Sequence, residues 1–109
     1  ETGMFDEQFF MYCEEIDWAR RIRDAGWQVC CVPSAHVVHL AGQSSGQERP
    51  RTLIHLWTSR LLLFDKHHPV WKRLLARLMI AAGMTLKARR AADPALREAY
   101  RTIRRLALR

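Results

Sequence analysis

The sequence predicts an α+β fold, mostly helical, with two short strands and a helical tail. Three observations predict it. Apolar residues recur at helical spacing over 14–25 and again from 51 to the end. Two short runs, 27–32 and 35–40, are rich in valine and other strand formers and are parted by Pro33-Ser34. The charge is divided: residues 1–68 hold 7 Lys/Arg against 9 Asp/Glu, whereas residues 69–109 hold 11 against 2. With 109 residues and 49% hydrophobic side chains, the chain is one small domain at most.

Taken in order, residues 4–13 are aromatic and apolar, with Asp6 and Glu7 among them. They read as a loop entering a short strand or turn that ends near Tyr12. Residues 14–25 read as a helix with Ile16, Ala19 and Ile22 inward and Arg20 and Arg23 toward water. Glu14, Glu15 and Asp17 fall at its N-terminal end, where carboxylates are favoured. Gly26 is a natural stop just past the helix. The two strands follow, then a polar loop over 41–50 with two glycines and a proline. Two strands are too few for an independent sheet, so they call for partner strands elsewhere or a second copy of the chain.

From Arg51 the pattern is helical. Leu53, Leu56, Trp57, Arg60, Leu61 and Phe64 share a face, and His67-His68-Pro69 ends the helix. A second helix runs from about Val70 to Arg90. Its apolar stripe is Trp71, Leu74, Leu75, Leu78 and Ala82, and its basic face is Lys72, Arg73 and Arg77. Asp93-Pro94 reads as an N-cap followed by proline at the first helical position. The last helix places Leu96, Ala99, Tyr100, Ile103 and Leu106 inward, and Arg97, Arg101, Arg104 and Arg105 outward.

Cys13, Cys30 and Cys31 form no CxxC pair, and their number is odd, so the expected state is reduced, small and buried in a cytosolic setting. No basic start followed by an apolar run suggests a signal peptide, and the first residue is Glu1. The expectation is therefore a chain cut from something longer. No apolar run approaches the ~20 residues that a membrane span needs.

The segment from Gly3 to Gly42 carries the most information. Gly3, Phe5, Asp6, Glu7, Phe9, Phe10, Met11, Tyr12, Glu14, Asp17, Arg21, Gly26 and Trp27 stand at fixed spacing, followed by Pro33, Ala35, His39 and Gly42. This set resembles the GxFDExFFMYxEDxDxxxRxxxxGW and PxAxxxHxxG blocks of family 2 glycosyltransferases of the GT-A type, especially rhamnosyltransferase-like members. The resemblance covers about the first forty residues, and the tail shares it only loosely. It implies the C-terminal fragment of a GT-A domain. Residues 1–42 would form the acceptor and base region, 43–50 a flexible loop and 51–109 a basic amphipathic tail.

It also implies an inverting transfer of sugar from a nucleotide-diphosphate donor to an acceptor hydroxyl, in bacterial cell-surface polysaccharide synthesis, with the fragment inactive alone. In the family the second acid of the Glu-Asp pair is the base, which falls here on Glu15, a departure from Asp by one methylene. Glu14 is the fallback. Asp17, Arg21, Phe9, Phe10 and Tyr12 would shape the acceptor side. His39 would touch the divalent cation, Mg2+ or Mn2+, whose main ligands the family draws from an N-terminal acidic motif absent here. One neutral imidazole does not hold a hard cation, so the fragment itself is expected to bind none.

A plainer reading of the same residues stands beside this one. Glu14 and Glu15 also complement a helix dipole, and Asp17 with Arg21 makes an ordinary i,i+4 ion pair. His36 and His39 are three apart on a strand and face opposite sides. The tail's arginine-rich faces suggest contact with an anionic membrane surface through 70–109, at the inner face of the plasma membrane. No base-reading motif points to nucleic acid. Unpaired strand edges leave a homodimer open. The rival function is a non-catalytic basic helical adaptor that binds a membrane or a partner protein.

Overall fold

The computed structural model describes residues 2–38 and 49–109. Four helices follow in order: α1 Glu14–Asp24, α2 Arg49–His67, α3 Val70–Arg90 and α4 Pro94–Ala107. Among the described residues there is no strand, and this corrects the α+β expectation. A strand exists only when its N–H and C=O groups ladder with a neighbour. Residues 27–38 have the composition of strands but no extended partner among the described residues. Trp27, Val29, Val32, Val37 and Val38 are all exposed. The break at Pro33-Ser34 is a turn, closed by the Ala35 N–H donating to Val32 O at 3.1 Å. Residues 39–40 of the second expected strand, with most of the 41–50 loop, lie outside the described residues. Arg49 and Pro50 already belong to α2, where proline is tolerated in the first turn.

The expected helix ends are present. After α1, Gly26 adopts φ +87°, its N–H donates to Arg23 O at 2.9 Å, and the Trp27 N–H donates to Ile22 O at 3.1 Å. This is a Schellman stop, and it requires the left-handed backbone that glycine adopts without strain. Between α2 and α3 only His68 and Pro69 intervene. Asp93 caps α4 by accepting from the Ala95 N–H at 2.8 Å, with Pro94 in the first turn.

α4 packs in the angle between α2 and α3. The core there is small: Leu61, Ala81 and Ala107 meet, with Ile80 and Leu106 against them, and Ile103, Ala99 and Met84 are buried nearby. Alanines at the contact let helix axes approach closely, and α4 buries the face that its pattern predicts.

α3 turns its apolar stripe away from the small core. Trp71, Leu74, Leu75 and Leu78 are each more than half exposed, and the buried residues are Ala81 and Met84. The cause is polar. Arg77 pairs with the Asp65 carboxylate and donates to Leu106 O at 3.1 Å, capping the end of α4. Arg73 donates to Asp65 O at 3.0 Å. The two arginines read as a solvated basic face are turned toward the fold, and the leucine stripe is turned out.

α1 also departs from expectation. Its buried residue is Asp17, whereas Ile16 is half exposed. The cysteines are free, as expected, but only Cys13 is buried; Cys30 and Cys31 lie exposed on the segment that forms no strand.

Candidate functional site

The segment before α1 is held against α1 and α2 by side chains of both. From α1, Arg21 donates to Thr2 O and, through Nη2, to Met4 O at 2.7 Å. Trp18 Nε1 donates to Gly3 O at 3.0 Å, and its ring meets Phe5 edge-on at 5.2 Å. From α2, Ser59 Oγ donates to Met11 O at 2.6 Å, and His55 lies 4.8 Å from the Phe10 ring. Asp6 turns the chain by accepting from the Gln8 N–H at 3.0 Å. Phe9 is buried, Phe10 is exposed and Tyr12 is half-buried.

Asp17 is the centre of this arrangement. It is fully buried. Its Oδ2 accepts from Arg21 Nε at 2.8 Å, and its Oδ1 lies 2.8 Å from Lys66 Nζ and 2.6 Å from His67 Nε2. Lys66 also reaches Asp6 Oδ2 at 2.6 Å and sits over the Phe9 ring. Burial alone pushes the Asp17 carboxyl up, but hydrogen bonds from Lys66, Arg21 and His67 outweigh it and bring it down to about 2. The Lys66 ammonium is disfavoured by burial, yet its bonds to Asp17 and Asp6 leave it more basic than usual. Asp6 is made more acidic, chiefly by the Lys66 hydrogen bond.

The two candidate bases are separated by this framework. Tyr12 and Cys13 both have positive φ, 71° and 69°, immediately before α1. Two successive non-glycine residues in the left-handed region are costly, of order 1–3 kcal/mol each, and persist only where the surroundings fix them. Here they set the direction in which Glu14 and Glu15 leave the loop. Glu14 is half-buried, and its Oε2 is buried with no hydrogen-bond partner among the described residues. Glu15 is exposed and lines an open cleft of about 660 Å3 with Ile16, Ala19, Arg20, Arg23 and Asp24. The buried Cys13 thiol is raised by burial first and then by the nearby Glu15 charge.

The predicted residues Phe9, Tyr12, Glu14, Asp17 and Arg21 therefore share one region, with Glu15 on its open side. His39 lies outside the described residues. Among the described residues no three His, Cys, Asp or Glu side chains gather to hold a metal ion, so they do not assemble a site for the divalent cation. Lys66, His67, Ser59 and His55 were not legible as partners of this region. His67, which meets Asp17 directly, is fifty residues away in sequence, and no local spacing signals it. The one available hint was the His67-His68 pair at a helix end, which reads equally well as an end-cap that suits the helix dipole.

The sequence of the chain is similar to proteins named rhamnosyltransferases, which supports a glycosyltransferase-like relationship. In particular, the chain is 33% identical over 102 residues to proteins from two Mycobacterium tuberculosis strains, CDC 1551 / Oshkosh and ATCC 25618 / H37Rv, each named N-acetylglucosaminyl-diphospho-decaprenol L-rhamnosyltransferase. That match takes in 93% of this chain and 33% of the relative. A shorter match, 46% identical over 37 residues, is to the rhamnosyltransferase WbbL of Escherichia coli K12, covering 34% of this chain and 14% of that protein. The chain thus spans about a third of the length of the mycobacterial relatives, and the similarity extends into the helical tail. No protein-family profile matches the chain. No solved structure matches it either.

Proposed function

We propose that this chain supplies the acceptor and base region of an inverting glycosyltransferase of the GT-A, family 2 type, which moves a sugar from a nucleotide-diphosphate donor to an acceptor hydroxyl in cell-surface polysaccharide synthesis. The observation that carries the reading is the 102-residue similarity to rhamnosyltransferases. The name of those relatives specifies an acceptor linked through diphosphate to a polyprenol, and an acceptor of that class is part of the proposal.

In this reading Glu15 takes the proton of the acceptor hydroxyl as its oxygen bonds to the anomeric carbon. The bond from that carbon to the diphosphate breaks, the nucleoside diphosphate leaves, and the configuration inverts. A base must be ionised and reachable. The start of α1 favours a carboxylate, and Glu15 opens on the cleft. Glu14 is the alternative base. Phe9, Phe10 and Tyr12 border the acceptor, while Asp17 and Arg21 hold that border in place. Residues 1–42 carry this region and 51–109 the helical tail, and the chain by itself does not complete the transfer. In the same proposal His39 would contact a divalent cation, which would supply charge neutralisation to the leaving diphosphate.

The test is Glu15→Gln and Glu14→Gln in the full-length protein. Glu15→Gln is expected to lower transfer about 10²–10⁴-fold while nucleotide binding stays unchanged. Loss in Glu14→Gln alone would move the base to Glu14. Near-normal turnover in both variants would overturn the proposal.

A further inference from the structure

The outward face of α3 is the largest feature that the proposed chemistry leaves unused. Trp71, Leu74, Leu75, Leu78, Met79 and Leu86 are each 52–67% exposed. At 100° per residue they fall within one stripe, with the buried Met84 on the far side of the helix and the buried Ala81 beside the stripe's Leu74 edge. The stripe continues onto α2 through an apolar cleft of about 710 Å3 that includes Trp57, Phe64 and Ile80. A contiguous apolar surface of this kind, left to water, is unfavourable, and it marks a surface that meets something else.

We infer that this face of α3 seats the protein on an anionic lipid bilayer, with the helix lying in the interface plane. Charge complementarity selects that occupant. α3 contains no acidic residue, and the apolar stripe is flanked by exposed cations, Lys72 at one end and Lys87, Arg89 and Arg90 at the other. Lys72 lies 5.3 Å from the Trp71 ring centre, pairing a cation with the aromatic that suits the headgroup level. Residues 69–109 carry 11 Lys/Arg against 2 Asp/Glu. A second copy docked on the same face would bring these cations against their equivalents, whereas an anionic leaflet neutralises them. None of the described helices is long and apolar enough to cross a membrane, so the contact is one of lying on the surface. The inward arginines Arg73 and Arg77 are committed to Asp65 and the end of α4, which keeps the apolar side outward. The inference does not rest on glycosyl transfer.

The experiment is co-sedimentation of the full chain with vesicles of phosphatidylcholine alone and of phosphatidylcholine with phosphatidylglycerol, at low salt. A Leu74→Ser/Leu78→Ser/Met79→Ser variant runs beside the wild type. All three positions are exposed, so circular dichroism should be unchanged. The wild type is expected to bind the anionic vesicles, and the triple variant to bind at least about tenfold more weakly. Equal binding by both proteins would overturn the inference, because charge alone would then suffice. So would failure of the wild type to bind, whether it stays monomeric or forms a dimer that the triple variant dissolves.

Discussion

The two halves of this molecule are held together by opposite means. Around α1 the buried centre is a carboxylate, Asp17, fixed by three cationic or imidazole partners drawn from its own helix and from the end of α2. In the α2–α4 tail the centre is apolar and small, with Leu61, Ile103 and alanines at the helix contacts and the α3 leucines Leu74, Leu75 and Leu78 facing out. A polar centre is directional and specifies one arrangement, but it fails badly when one member is lost. A small-residue apolar centre tolerates more and leaves apolar surface free for other use.

The comparison breaks most sharply at Asp17. Asp17→Ala leaves Lys66 and Arg21 part-buried without their carboxylate, and a loss of about 3 kcal/mol is expected, read from the denaturation midpoint. The Ser59 and Arg21 anchors of residues 2–13 should loosen with it, visible as faster amide exchange there. In the tail, Ile103→Ala removes the most buried apolar side chain and is expected to cost roughly 2–4 kcal/mol, with no change in exchange over residues 2–13. If both substitutions loosened both regions equally, the two halves would be one cooperative unit.

Acid separates the halves without mutation. The Asp17 carboxyl ionises at about 2 when folded, against an ordinary value of 3.8. Its contribution, on the order of 2 kcal/mol, is complete above the unfolded value and is lost as pH falls from about 4 through about 2. An acid titration of stability should show that loss in the wild type and not in Asp17→Asn. The smallest effect is expected at the tail's cap: Asp93→Ala removes the hydrogen bond to the Ala95 N–H and should cost about 1 kcal/mol.

Much of the helical frame was legible. The stop at Gly26, the break at Pro69 and the Asp93-Pro94 cap are local, because each depends on one residue's backbone preference or one short-range hydrogen bond. α4 was legible too, since its alternation of apolar and arginine positions matches a single buried face. Of the candidate site, the acid pair at a helix start and the Asp17–Arg21 pair could be placed from spacing alone. Lys66 and His67 could not, because their meeting with Asp17 depends on how α2 crosses α1.

The sequence by itself determined where the helices begin and end, the division of charge between the two parts, and the glutamate pair at the start of α1. Only the tertiary structure decided which faces of α1 and α3 are buried. Periodicity marks a stripe but not its direction, and in α3 the bonds from Arg73 and Arg77 to Asp65 and the end of α4 turned the leucines outward. It also decided the fate of residues 27–38, because a β-prone segment becomes a strand only when another strand lies beside it to share its hydrogen bonds.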